Sequence, residues 1–563
     1  MNPGSLQAIY TYDKMDRPVT LQSKEGAATA VYVVKNSPLA TYRAYGPLST
    51  LRFDLATDRD ETRAYDFRNQ PTSITVSGSL FTLNYTTDDV GNITQQQRTL
   101  PAPTETRGYS YQDWQYYLTC GSGPWGGTAC SPSPSGNPLQ WTYDKIGNRA
   151  TELRAGLTDG YVYDPNSGAT GDTAVLDVVN LGVMGTRDYT FDAGGYLNQI
   201  AAGANVLDFT FDDAGQLAEV ERTAASQDLT MSYDGRGFLA EADDAASGGS
   251  VKATYSSGGL LHYSLERKPT SVATVERHNV LYFAGRPIAI WKKVGAAAAT
   301  TTYLVTDHLG TPVYALNQAG TEYWKGGLEP FGRDWQEGTA NDMLTKGIFL
   351  RFPGQWDDGL FTNATLGADS YYNFHRWYED QTGKYSSADP LGLRGSINAF
   401  AYTDGNPVGF VDPLGLKVEL YCETIGRDAA ANVGHRIVGA AGFQHCFVRI
   451  KCNSCPKYDL RLEVNGRDNE AGMSEIPDPP RFGMGHGASI VPFDSPDWDS
   501  NDCTMEECIL KRYRELQSRG YDYGFPPKGW LFGPNSNTFA NDILTSCGVR
   551  KVYWPDGVAP FNY

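Results

Sequence analysis

One short unit recurs along the first part of the chain: aromatic, Thr or Ser, aromatic, Asp, two or three variable residues, then Gly or Asn before an apolar residue. It stands at Tyr10-Thr11-Tyr12-Asp13, at Trp141-Thr142-Tyr143-Asp144 with Gly147 and Asn148, at Tyr189-Thr190-Phe191-Asp192 with Gly194 and Gly195, at Phe209-Thr210-Phe211-Asp212 with Gly215, and at Met231-Ser232-Tyr233-Asp234 with Gly237. Strand side chains alternate, so aromatics two residues apart share a face, while Asp and Gly supply the turn. Each unit reads as a β-hairpin. The clearest copies follow one another at about 20 residues, and a lone hairpin cannot bury its aromatic face. Neighbours must therefore pair into one continuous, curling sheet. A β-sandwich or propeller with tyrosine-rich strands is the alternative, and the recurrence of Tyr-Asp-x-x-Gly favours the spiral. The 35 tyrosines, 61 glycines and 31 prolines suit many short strands joined by turns better than long helices.

At 563 residues the chain is long enough for more than one core. Of the formal charge of -18, the first 416 residues carry -15, from 31 basic against 46 acidic side chains. Such a surface repels phosphate backbones, so no nucleic-acid partner is expected for this part. No run of about 18 apolar residues exists, and residues 1–12 lack the charged and apolar regions of a signal peptide, so export is expected to use a specialised route. Two cysteines, Cys120 and Cys130, precede residue 417, and seven follow it. That step marks a domain boundary.

The repeats resemble the YD repeats of the Rhs, teneurin and Tc-toxin C families, over roughly residues 5–416. A second signal is denser. Arg351-Phe352-Pro353-Gly354-Gln355-Trp356 and Tyr371–Tyr378 lead into Asp389-Pro390-Leu391-Gly392-Leu393, then Gly405-Asn406-Pro407-Val408 and Asp412-Pro413-Leu414-Gly415-Leu416. This run resembles the Rhs core-associated domain. The resemblance implies a mainly β shell, a hollow cocoon of spiralling hairpins at 1–350, and a self-cleaving domain at 351–416. A variable α+β toxin domain at 417–563 would be enclosed until released. It implies Asp389 and Asp412 as an aspartic-protease pair and Leu416–Lys417 as the bond cut. Two close carboxylates sharing one proton can offer a base to water and an acid to the leaving amine. Without catalysis, the two Asp-Pro-x-Gly elements would still make tight turns. Family shells hold more hairpins than 416 residues supply. A longer polypeptide or a second shell chain is therefore expected, along with secretion machinery, delivery to a target cell and an immunity protein in the producer.

The tail reads as mixed α and β. Strands are expected at 445–450 and 461–464, and a helix over 505–519, capped by Thr504 and stopped by Gly520. A short helix is expected over 541–547. Gly533-Pro534-Asn535-Ser536-Asn537-Thr538-Phe539 resembles the nucleophile-bearing helix start of permuted papain-like hydrolases, in which a strand His precedes the motif. By that resemblance His445 is the base, and Ser536 stands where those enzymes have cysteine. A helix N-terminus favours an activated nucleophile or an oxyanion. The departure matters, because serine is harder to deprotonate than a thiol. The plainer roles are a half-buried strand histidine for His445 and a helix cap for Ser536. Cys452 and Cys455 have spacing that could hold a structural zinc, though nothing nearby completes a set, and disulfides formed in an oxidising compartment are an equal alternative. No other cofactor is implied. The rival activities are a nuclease or an ADP-ribosyltransferase cargo, and, from another class, a non-catalytic teneurin-like adhesion or encapsulation protein. The tail's His435, His445 and His486 show no metal-nuclease spacing, and no NAD-binding pattern is legible.

Overall fold

A computed structural model describes residues 6–412, except 16, 45–46, 113–115, 164–172, 183–184, 223–227, 256–261, 337–341, 358, 364–367 and 391–397. Beyond 412 it describes only the strand backbones Leu420–Thr424, Gln444–Ile450, Leu460–Asn465, Gly472–Pro477, Ser489–Ile490, Phe493–Asp494 and Lys551–Val552. Among the described residues no helix is long and apolar enough to cross a membrane.

From Leu6–Tyr12 to Asp334–Gln336 the chain forms a 29-stranded antiparallel sheet in which nearly every strand pairs with its neighbours in sequence. The repeat unit explains why. Its Asp closes its own turn: Oδ1 of Asp144 accepts from the backbone N of Ile146 at 3.0 Å and of Asn148 at 2.9 Å. Asp212 does the same for Ala214 and Gln216, and Asp234 for Arg236 and Phe238. Gly147, at φ 82°, takes the left-handed position that this turn needs.

The second aromatic ties each unit to an earlier one. Tyr143 donates its hydroxyl to the backbone oxygen of Leu118 at 2.8 Å, Tyr233 to Leu217 at 2.7 Å and Tyr255 to Leu239 at 3.0 Å. A register shift precedes each of these tyrosines, between Thr142 and Tyr143, Ser232 and Tyr233, and Thr254 and Tyr255. A bulge of this kind increases local twist and bends the strand, which is how a flat ladder comes to curl. Where the unit carries Phe191 or Phe211, the rings instead pack on Phe400 and Tyr196.

Strands from Glu276–Phe283 to Glu322–Leu328 lack the repeat motif and are buried on both faces. Alternation sorts their side chains. Val280, Ile290, Leu304, Ala315 and Trp324 join one hydrophobic core, and Leu281, Ala289, Trp291, Tyr303, Val305, Tyr314 and Leu316 join a second. The second core holds the early hairpins, with Phe81 stacked on Tyr314 at 4.9 Å and Phe53 edge-on to Tyr303 at 5.6 Å. The first holds the later hairpins together with an aromatic plug made by described residues between Met343 and Tyr402, while Val408 joins the second core. These strands are thus a wall with the early turn of the spiral on one side and the plug on the other.

Buried ion pairs join plug to shell, Arg187 meeting Glu379 at 3.1 Å. A disulfide joins Cys120 to Cys130, which the sequence left unassigned. In the tail, the expected strands appear at Gln444–Ile450 and Leu460–Asn465, paired antiparallel with Val448 opposite Leu462. The helices expected at 505–519 and 541–547 lie outside the described residues.

Candidate active site

The plug is organised on a hairpin, Ala368–Asn373 with Arg376–Glu379, to which Lys384–Tyr385 adds a third strand. Its aromatic rings stack into a floor of Tyr378, Tyr385, Tyr402 and Phe352. Arg376 lies over the Tyr385 ring, 3.6 Å from its centroid. A charged side chain in the run Phe374-His375-Arg376-Trp377 needs a charge partner if it is buried.

It has two. Nη2 of Arg376 lies 3.0 Å from Oδ2 of Asp389 and 3.2 Å from Oδ2 of Asp412. Both oxygens touch one nitrogen, so they are at most 6.2 Å apart, the sum of those distances. Asp389 and Asp412 are 6% and 8% exposed. Asp389 and Asp412 therefore meet, but around a guanidinium. A shared proton between the carboxyls was the expectation from sequence. The guanidinium standing between them was not part of that expectation.

Neighbouring groups fix the arrangement. The Tyr385 hydroxyl donates to Oδ2 of Asp412 at 2.8 Å, and Asn373 Nδ2 donates to the Asp412 backbone oxygen at 3.0 Å and to the Tyr385 hydroxyl at 2.7 Å. On the other side, the Asp389 backbone N and Arg376 Nη1 both donate to the Ala399 oxygen. Ala388, just before Asp389, donates its N–H to Gly195, the turn glycine of the Asp192 repeat. His308, in a shell turn, bonds the Val408 oxygen through Nε2 at 2.9 Å. Shell hairpins thus position both aspartate segments.

Burial, then the carboxylate of Asp412, raises the Tyr385 phenol well above its usual range, so it stays a donor. Burial, then the Arg376 charge, pulls His375 down to about 4, leaving it neutral near pH 7. Arg376, Tyr385 and Asn373 lay inside the motif quoted from the sequence but were given no role there. The signal for Arg376 was its charge within an aromatic run.

Deeper in the plug, burial pushes Asp380 up to about 7, helped by neighbouring Asp369 and opposed by Arg333. Asp369 is pushed up to about 6, chiefly by burial. The Asp380 carboxyl takes the Asp369 backbone N at 3.1 Å and the Tyr371 hydroxyl at 3.3 Å. A carboxyl with a raised folded-state pKa stabilises the fold fully below its unfolded value, and that contribution is lost as pH rises through the folded value. Asp380→Asn should therefore stabilise the chain by roughly 2–3 kcal/mol more at pH 8 than at pH 5. Urea midpoints at both pH values check this, and an equal effect at both would contradict it.

Leu416, Lys417, Ser536, Cys452 and Cys455 lie outside the described residues. His445 lies on the strand Gln444–Ile450, opposite Glu423 in register.

No family model matches the chain. Among curated proteins it is similar to toxin protein Tse5 of Pseudomonas aeruginosa, 30% identical over 164 residues, which cover 29% of this chain and 11% of that protein. It is also similar to double-stranded DNA deaminase toxin A of Burkholderia cenocepacia, 26% identical over 279 residues, covering 49% of this chain and 17% of that protein. The crystal structure of TcdB2-TccC3 superposes with a TM-score of 0.58 at 18% identity, over 73% of this chain and 21% of that one. These likenesses support an Rhs/YD-repeat polymorphic toxin. The chain's shell has the mainly β fold of that structural neighbour, and the chain spans less than a fifth of the length of these two curated relatives.

Proposed function

We propose that this Rhs chain severs itself between Leu416 and Lys417, using Asp389 and Asp412, and so frees residues 417–563 as an enzymatic toxin. The observation that carries the reading is the meeting of two distant aspartates at one guanidinium. The second of them stands four residues before the bond, a span of at most about 14 Å of extended chain. One carboxylate would take a proton from water as it attacks the Leu416 carbonyl, and that proton would then pass to the departing Lys417 amine. Arg376 and the Tyr385 hydroxyl, which both meet Asp412, would stabilise negative charge developing on the carbonyl oxygen. The divisions 1–350, 351–416 and 417–563 follow from this scheme. Delivery by secretion machinery, a second shell chain and an immunity protein in the producer belong to it as well.

For the tail, the reading is a hydrolase or acyltransferase with His445 as base and Ser536 as nucleophile. The second reading, an enzyme acting on nucleic acid, is favoured by the relative that is itself a double-stranded DNA deaminase toxin.

On a denaturing gel the purified chain is expected as pieces of roughly 416 and 147 residues, and Asp389→Asn as one intact band. A wild-type chain that stays whole with its shell partner present would end the self-cleavage reading. Growth of cells expressing the chain tests the tail: if His445→Ala and Ser536→Ala leave toxicity unchanged, the nucleic-acid reading replaces the hydrolase.

A further inference from the structure

Away from the aspartate pair, a second cluster brings mutually reactive groups together across the boundary between plug and shell. Lys384, on the third strand of the plug, is 6% exposed. Its Nζ donates to Oδ1 of Asn148 at 2.9 Å and to the Ala174 backbone oxygen at 3.3 Å, and lies 4.3 Å from the Tyr163 ring centroid. Among the described residues no carboxylate forms an ion pair with it. Burial, opposed by the Asp144 carboxylate and helped by the Arg149 charge, pulls its ammonium down to about 7, so much of it is free amine near neutral pH.

Asn148 belongs to the hairpin of the Asp144 repeat and is gripped on every polar atom of its side chain. Nδ2 donates to Oδ2 of Asp144 at 2.8 Å and to the Thr173 oxygen at 2.8 Å. Oδ1, besides the lysine, accepts from Asn398 Nδ2 at 2.8 Å. With a carbonyl length of about 1.23 Å, the Asn148 Cγ must lie about 3–4 Å from the amine, which overlaps the separation of a near-attack pair. The Asp88–Asn92 turn repeats the carboxylate–amide bond, at 2.9 Å. That bond therefore belongs to the hairpin itself, and the additions here are Lys384 and Asn398.

We propose that Lys384 and Asn148 join in an intramolecular isopeptide bond, a covalent tie between plug and shell. The neutral amine attacks the carboxamide carbon, forming the Nζ–Cγ bond and placing negative charge on Oδ1, where the Asn398 N–H receives it. Asp144 Oδ2, already bonded to the leaving nitrogen, takes a proton from the attacking nitrogen and returns it to Nδ2. The Cγ–Nδ2 bond then breaks and ammonia departs. A primary amine and a primary amide give a secondary amide and ammonia, with no change in oxidation state and no further reactant. A small cavity bordered by Ala174, Thr382 and Ser386 adjoins Lys384. The tie joins residues 236 apart in sequence. It also fixes Tyr385, the next residue, whose hydroxyl holds Asp412.

The test is the mass of the full chain, incubated at neutral pH, denatured and reduced, followed by a tryptic digest. The expected mass is one ammonia below that of the sequence, with a branched peptide joining Asn148 to Lys384. Lys384→Arg and Asn148→Ala should each show their full sequence mass. If the chain also cuts itself, the deficit and the branch stay in the piece ending at Leu416, so the two reactions are read separately. A wild-type chain at full mass overturns the proposal. Loss of ammonia without the branch also overturns it, since that would be cyclisation at an asparagine.

Discussion

Arg376→Leu should abolish self-cleavage and lower the stability of the chain by about 3–5 kcal/mol, the usual consequence of stranding buried charge. Arg376 is 3% exposed and contacts the only carboxyls that the Asp-Pro-Leu-Gly-Leu elements bring together. Without the cation, Asp389 and Asp412 face each other at no more than 6.2 Å, by the sum of their distances to Nη2. Either one takes up a proton or the segments separate. Both outcomes cost stability, and either way the cation proposed to stabilise charge on the carbonyl oxygen is gone. Two further variants separate chemistry from folding. Arg376→Lys keeps the charge but lacks the second nitrogen that donates to the Ala399 oxygen while the first meets both aspartates, so it should retain more stability than the leucine variant and still cleave poorly. Adding Asp389→Asn to Arg376→Leu removes one stranded carboxylate. It should recover stability without recovering cleavage, a coupling that a double-mutant cycle reads directly. Gel bands and urea midpoints are the measurements. Cleavage at the wild-type rate in Arg376→Leu would remove the guanidinium from the site.

How far the sequence foretold this depends on how local each feature is. The hairpins were legible because the repeat unit contains its own turn chemistry: Asp144 caps the loop that follows it, and Gly147 sits three residues on. The meeting of Asp389 and Asp412 was legible only by resemblance, since nothing in either segment alone says which other segment it touches. Arg376 was missed because one arginine among aromatics has many candidate partners until the fold selects them. The tie from each repeat tyrosine to an earlier hairpin, as from Tyr143 to Leu118, was hidden for the same reason. Cys120 and Cys130 stood alone in the first part, yet the hairpin that brings their Cα atoms to 5.7 Å carries no repeat signature. The two-sided wall did leave a trace. Ile288-Ala289-Ile290-Trp291 is an unbroken apolar run, the pattern of a strand covered on both faces.

That wall makes two neighbouring strands respond to mutation in opposite halves of the molecule. Trp324, 1% exposed, belongs to the core shared with the plug, whereas Tyr314, fully buried on the preceding strand, stacks on Phe81 of the early hairpins. Truncating either to alanine removes a large ring from a close-packed interior, and each should cost about 3–5 kcal/mol by lost burial and the cavity left behind. The damage should not be shared. Trp324→Ala loosens the packing of Phe349, Trp356 and Trp377, members of the same core, and should expose the plug to added protease while the early hairpins resist. It should also slow self-cleavage, because the floor residues Phe352, Tyr378, Tyr385 and Tyr402 belong to that same core. Tyr314→Ala should reverse the pattern, opening the hairpins around Phe53 and Phe81 first and leaving the plug closed. Limited proteolysis with mass mapping of the first cuts distinguishes the two. If both variants open at the same sites, the strands from 276 to 328 do not divide the interior, and the cores on their two faces unfold as one.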